Sequence, residues 1–207
     1  RLLVLVHGLC MNDRQWTRNG HDHGTALQQS LGLAPLYLRY NSGLGVQENG
    51  RRLAELLELR VNDAPGAIES IDLLGFSLGG LLCRSAYEHA MHQQHRWPHL
   101  LRKMIFLGTP HDGAPLERGG HLLDQVLRHS PYLAPFSIPG SARSDGIQNL
   151  RHGLRAAAAP LPQDVECFAV AGTLAENHTR PGAAWVGDGL VPVASALAEL
   201  EVPHRQV

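Results

Sequence analysis

The stretch Gly75-Phe76-Ser77-Leu78-Gly79, with Gly80 following, sets a serine between glycines where an apolar run, Ile71–Leu74, gives way to a helical pattern. A chain that turns from strand to helix in one tight step holds its middle residue in a strained conformation with the side chain exposed. Side chains at 75 and 79 would collide across such a turn, so glycine stands on both sides. Leu78 falls in the first helical turn, where its N–H has no intrahelical acceptor and the helix dipole favours negative charge. Those features suit attack on an acyl group, with the Ser77 hydroxyl as nucleophile and the Leu78 N–H as donor to an oxyanion. The plainer alternative is a glycine-rich turn with an incidental serine.

His7-Gly8-Leu9 follows the first apolar run, Leu2–Val6. In a parallel sheet the loops after the strands share one edge, so this turn is expected beside Ser77. The Leu9 N–H is then the natural second oxyanion donor, and His7 is expected to brace the loop rather than act as base. Gly187-Asp188-Gly189-Leu190-Val191-Pro192 offers a carboxylate, Asp188, that would orient a histidine and stabilise its imidazolium. Asp-Gly is also a common turn pair, and Asp112 is a rival acid. A strand–turn–helix nucleophile takes its partners in the chain order serine, acid, histidine. Only His204 follows Asp188, and it would sit near the bottom of a last strand. The base is therefore expected beyond Val207, with His204 and His111 as the alternatives.

Elements of the right period stand between these motifs. Leu2–Val6, Pro35–Tyr40, Ser70–Leu74, Lys103–Leu107 and Val165–Ala171 read as strands, and Glu201–Val207 as the start of another. Thr25–Leu31, Val46–Val61, Leu78 to about Gln93 and Val193–Leu200 read as helices; Leu53, Leu56, Leu57 and Val61 form one apolar stripe on the second. Alternation of this kind predicts an α/β domain with a mainly parallel sheet flanked by helices. Between 109 and 162 the alternation breaks into a proline-rich stretch with a helix-like patch at Gly120–His129. It is expected to be a lid or cap insertion within a single domain spanning 1–207. Gly113-Ala114-Pro115 would set its hinge.

The chain has 207 residues, 43% hydrophobic and 18% charged, with a net charge of -1. That is enough for one core, without the basic excess of a nucleic-acid binder. No apolar run approaches the roughly 20 residues of a membrane-spanning helix. Cys10, Cys83 and Cys167 lack zinc or disulfide spacing, and their odd number favours a reducing compartment and cytoplasmic residence. His21-Asp22-His23 is expected in a solvated loop, not a metal site. Asn41-Ser42-Gly43 reads as a turn, and Arg51, Arg52 and Glu55 as a charged helix face. No metal or cofactor is implied. The opening on Arg1 and a hydrophobic strand is read as a piece of a longer protein, truncated at both ends.

Together His7-Gly8-Leu9, Gly75-Phe76-Ser77-Leu78-Gly79-Gly80, Leu107-Gly108-Thr109-Pro110-His111 and Gly187-Asp188-Gly189-Leu190-Val191-Pro192 resemble the α/β-hydrolase lipases and esterases. Within these the chain is similar to bacterial relatives of the GPI inositol-deacylase (PGAP-like) and class 2 lipase families. The resemblance runs from His7 to Pro192. It implies an α/β-hydrolase fold, Ser77 as nucleophile, Asp188 as acid, Leu9 and Leu78 as oxyanion-hole donors, a lid in the 110–162 region, and a lipid or other hydrophobic ester as substrate. Phe76 stands where many relatives carry histidine and is expected to pack under the turn. The histidine that relatives place after the last strand is absent from these residues. Acyl transfer to an alcohol on the same fold, and a non-catalytic binding module, are the competing readings.

Overall fold

Leu2–Val6 (β1) is apolar throughout, the composition required of a parallel strand covered on both faces. In the computed structural model, which describes residues 1–63, 65–112, 145, 162, 164–172, 191 and 193–197, β1 lies inside a five-stranded sheet. After it come a 3-10 turn at Asp13–Trp16, a two-stranded ribbon of β2 (Thr17–Arg18) and β3 (His21–Asp22), and helix α1 (His23–Leu31). Then follow β4 (Ala34–Leu38), α2 (Val46–Asp63), β5 (Ile71–Phe76), α3 (Leu78–His92), a 3-10 turn at Trp97–Leu100, β6 (Leu101–Leu107), β7 (Glu166–Val170) and α4 (Val193–Leu197).

The sheet order is β4-β1-β5-β6-β7, and every pairing in it is parallel. From β1 the chain steps outward to β4, then returns past β1 to β5 and continues to β6. The order therefore reverses between β1 and β5, and the crevice beyond their carboxyl ends is where an open α/β sheet binds ligands. The register brings Val6 opposite Gly75 at that edge.

Two cores flank the sheet. Val4, Val6, Leu73, Met104 and Phe106 point to one face and pack with Leu53, Leu57 and Val61 of α2 and Leu82 and Ala86 of α3. Leu3, Leu5 and Leu74 point to the other, with Trp16 and Leu33, against which Leu27 of α1 and Tyr37 pack. The far side of α2 carries ion pairs from Arg51 to Glu48 and Glu55 and from Arg52 to Glu48, in keeping with a solvated charged face.

Several sequence-derived boundaries shift. The second strand expected at 35–40 is β4, which stops at Leu38, leaving Tyr40 to serve the site. The strand expected from Lys103 begins at Leu101, which pairs with Ile71 across an irregularity in register. His21-Asp22-His23 is not a loop: the first two residues form β3, paired antiparallel with β2, and His23 opens α1. The Asp22 carboxylate caps that helix by accepting the Thr25 N–H at 2.7 Å. It also accepts the hydroxyls of Thr17 and Tyr37. Among the described residues no helix is long and apolar enough to cross a membrane. Of the expected cap, only Thr109–Asp112, Asp145 and Pro162 are described. The patch at 120–129, Asp188, His204 and the expected strand at 201–207 lie outside the described residues.

Leu73 is fully buried in the strand that leads to Ser77. Leu73→Ala is expected to destabilise the fold by about 2–5 kcal/mol, seen as a lower denaturant midpoint with an unchanged slope.

Candidate active site

Strand β5 ends at Phe76 and α3 begins at Leu78, so Ser77 alone makes the turn. Its backbone lies at φ 52°, ψ -121°, a left-handed conformation that costs a non-glycine residue about 1–3 kcal/mol. The turn is clamped from both sides: the Ser77 N–H donates to Leu107 O at 2.8 Å, and the Gly80 N–H donates to Ser77 O at 3.0 Å. Glycine is obligatory where the clamp is tightest. A Cβ on Gly75 would stand 2.5 Å from Gly80 Cα, and one on Gly79 would collide with Val6 O and lie 2.6 Å from His7 O. The first turn of α3 thus rests directly on the end of β1. Ser77 is half-buried, and its side chain makes no capping bond to the helix.

The loop after β1 is pinned by side chains. His7 is buried, its Nδ1 lies 2.9 Å from Gly8 O, and its ring stacks on Tyr40 at 4.2 Å. The Tyr40 hydroxyl donates to His7 O at 2.7 Å. Ser42 Oγ accepts the Cys10 N–H at 2.8 Å and so holds Cys10 at φ 56°. Burial keeps the His7 imidazole below its ordinary pKa, hence neutral, and raises the Cys10 thiol. His7 is a brace in this geometry. The Leu9 side chain packs on the cluster of Val46, Leu78 and Leu81, beside the first turn of α3. Neither the Leu9 nor the Leu78 N–H has an acceptor among the described residues.

His111 and Asp112 follow β6. His111 is buried and its Nδ1 receives Arg84 Nη1 at 2.9 Å. Burial, with the Arg84 charge, pushes its pKa down to about 3. The Asp112 carboxylate is on an exposed residue, and its N–H donates to Ser195 Oγ at 3.3 Å.

Beside the Ser77 turn a cleft of about 460 Å³ opens between the 3-10 turn with its β2–β3 ribbon and the ends of β5, β6 and β7. Met11, Trp16, Phe76, Leu107 and Val170 give it apolar walls, and Gln15, Arg18 and His23 a polar margin. Phe76 overturns an expectation: it does not pack under the turn but is 37% exposed and lines the cleft. The strand runs on through Phe76 before the chain turns, which swings its ring outward over Gly8. Sequence reasoning also passed over the Trp16 wall. Its signal is the capping box of Asn12 and Gln15, in which Asn12 Oδ1 accepts the Arg14 N–H and Gln15 Oε1 the Asn12 N–H. Among the described residues no group of histidine, cysteine or acidic side chains could hold a metal ion.

A parallel sheet in this order, with a serine at left-handed φ on the tip of its central strand, defines an α/β-hydrolase fold. The chain belongs to the PGAP1-like alpha/beta domain family, whose model matches residues 1–133. Among solved structures, the mature form of the Bacillus licheniformis lipase BlEst2 is 18% identical with a TM-score of 0.66, over 99% of this chain and 82% of that one. The metagenomic carboxyl esterase MGS0156 is 20% identical at a TM-score of 0.61, over 97% and 61% of the two chains. For the Legionella pneumophila phospholipase PlaB the figures are 15%, 0.60, 95% and 45%. At these identities the likeness is one of fold, and this chain spans less than two thirds of the last two. No curated protein matches the sequence at a significant level.

Two measurements test this geometry. Gly79→Ala forces backbone apart and is expected to lose about 1–3 kcal/mol of stability, seen as a lower denaturant midpoint. The pH dependence follows from the two buried histidines, which stay neutral when folded but in the unfolded chain take up protons below about pH 6.5. The unfolded state then binds more protons, so stability is complete above that pH and declines as pH falls toward the lowered folded values. A melting temperature that drops between pH 7 and 5 is the expected result.

Proposed function

We propose that the protein is a serine hydrolase of carboxylic esters, acting on lipid or other hydrophobic acyl substrates. The observation that carries this reading is Ser77 held at φ 52° over the first turn of α3, with the Leu9 side chain packed on the cluster that holds Leu78. A binding module gains nothing from maintaining such strain, whereas a nucleophile needs the exposed hydroxyl it produces.

In the proposed reaction Ser77 Oγ attacks the ester carbonyl carbon and passes its proton to a histidine supplied by sequence beyond Val207. The carbonyl oxygen becomes an oxyanion facing the Leu9 and Leu78 N–H groups, each worth about 3–4 kcal/mol in such a site. Collapse expels the alcohol, which takes the proton back from the histidine, and leaves acyl-Ser77. Water, deprotonated by the same histidine, then attacks and releases the acid. Asp188 is the proposed acid that fixes the tautomer and orientation of that histidine. The apolar cleft walls at Met11, Phe76, Leu107 and Val170 favour a hydrophobic substrate part beside the nucleophile. None of these steps calls for a cofactor or metal.

The test uses the full-length protein with p-nitrophenyl esters and a fluorophosphonate probe. Ser77→Ala is expected to lower hydrolysis by about 10³-fold or more and to abolish labelling. Retained hydrolysis, or a label recovered on another residue, would remove the assignment. Octanoyl esters are expected to outperform acetyl esters in kcat/KM, and Phe76→Ala to narrow that gap.

A further inference from the structure

The segment Leu107–His111 grips the Ser77 turn at three successive levels of α3. At the first, Leu107 O accepts the Ser77 N–H at 2.8 Å. At the second, fully buried Thr109 lies so near Gly80 that a Cβ there would collide with Thr109 Oγ1 and stand 2.7 Å from its Cγ2. At the third, Arg84 Nη1 meets His111 Nδ1 at 2.9 Å. The His111 ring, 3% exposed, stands edge-on to Phe106 at 4.7 Å. The same segment is fastened to α4: the His111 N–H donates to Ser195 O at 3.2 Å, and the Asp112 N–H to Ser195 Oγ.

Guanidinium nitrogens only donate, so His111 Nδ1 must be the acceptor and the neutral ring carries its proton on Nε2. Among the described residues that Nε2 meets no acceptor in its buried setting. With the Nδ1 lone pair taken up by Arg84 and Nε2 carrying the proton, neither ring nitrogen is free to take a proton from Ser77. The ring instead closes the third level of the grip.

We propose that His111 is a positioning residue for the nucleophile: by accepting Arg84 it locks the loop after β6 against α3 and so keeps Leu107 O under the Ser77 N–H. Release of that lock lets the turn relax toward an ordinary backbone conformation, and the hydroxyl leaves the edge it shares with Leu9 and Leu78. The inference rests on Ser77 being the nucleophile.

The experiment compares full-length wild type, His111→Leu, His111→Asn and Arg84→Met, each well below its melting temperature. Asparagine Oδ1 can accept Arg84 much as Nδ1 does, whereas leucine cannot. Readouts are the fluorophosphonate inactivation rate, which reports the Ser77 hydroxyl independently of the ester, then kcat, KM and the pH profile of kcat/KM. His111→Leu and Arg84→Met are expected to lose roughly 10–100-fold in inactivation rate and kcat with KM little changed. His111→Asn is expected to recover most of that loss and to keep the acidic limb of the pH profile where wild type has it. If His111→Leu does not fold, Arg84→Met carries the same comparison. Wild-type rates in a folded His111→Leu or Arg84→Met would overturn the proposal while leaving Ser77 as nucleophile. A folded His111→Asn as impaired as His111→Leu, with the acidic limb lost from its residual activity, would overturn it by making His111 the base. A wild-type protein inert to the probe would sink the Ser77 reading, and this one with it.

Discussion

Helix α3 starts where β1 stops, and the two backbones come so close at Gly79 that only a hydrogen atom fits between them and the Val6 and His7 carbonyl oxygens. The rest of the site depends on that approach. It fixes the direction of the helix relative to the sheet and sets its first turn against the end of β1, leaving a single residue to connect β5 to it. It also demands the β1–β5 register, Val6 opposite Gly75. That register is secured by burial on both faces, since a slip of one residue would exchange the side chains of the two cores.

The two loops that meet at this edge are fixed by different means. After β1, polar side chains hold the backbone: His7, Tyr40 and Ser42 between them occupy Gly8 O, His7 O and the Cys10 N–H. After β5, close backbone packing does so. In the proposed reaction, donors fixed in place before any charge develops need no reorganisation when it does.

Much of this is legible in the sequence because burial writes periodicity into it. The uninterrupted apolar run of β1, the 53, 56, 57, 61 stripe of α2, and glycines flanking Ser77 each reflect a local constraint. What is not legible has no local period. Two-residue strands such as Thr17–Arg18 and His21–Asp22 are too short to alternate. The end of β4 at Leu38 is set by Tyr40 turning to stack on His7, a partner far away in the chain. Arg84 with His111, and Asp112 with Ser195, are contacts between distant segments whose residues look ordinary in isolation. Phe76 is the instructive case. Its place in the motif is plain, but whether its ring goes under the turn or into the cleft depends on how far β5 runs before it bends.

The all-parallel pairing has a kinetic side. Among the described strands, no two neighbours in the main sheet can zip from a hairpin; β1 must find β5 with β4 and α2 formed in between, and Leu2 pairs with Ile71. Chains whose partners are this remote close costly loops before any contact rewards them, and they fold slowly. The Ser77 turn, whose strain only the assembled sheet sustains, is therefore among the last features to mature. On the proposed reading of Ser77, the newly made chain carries until then a serine with no special reactivity.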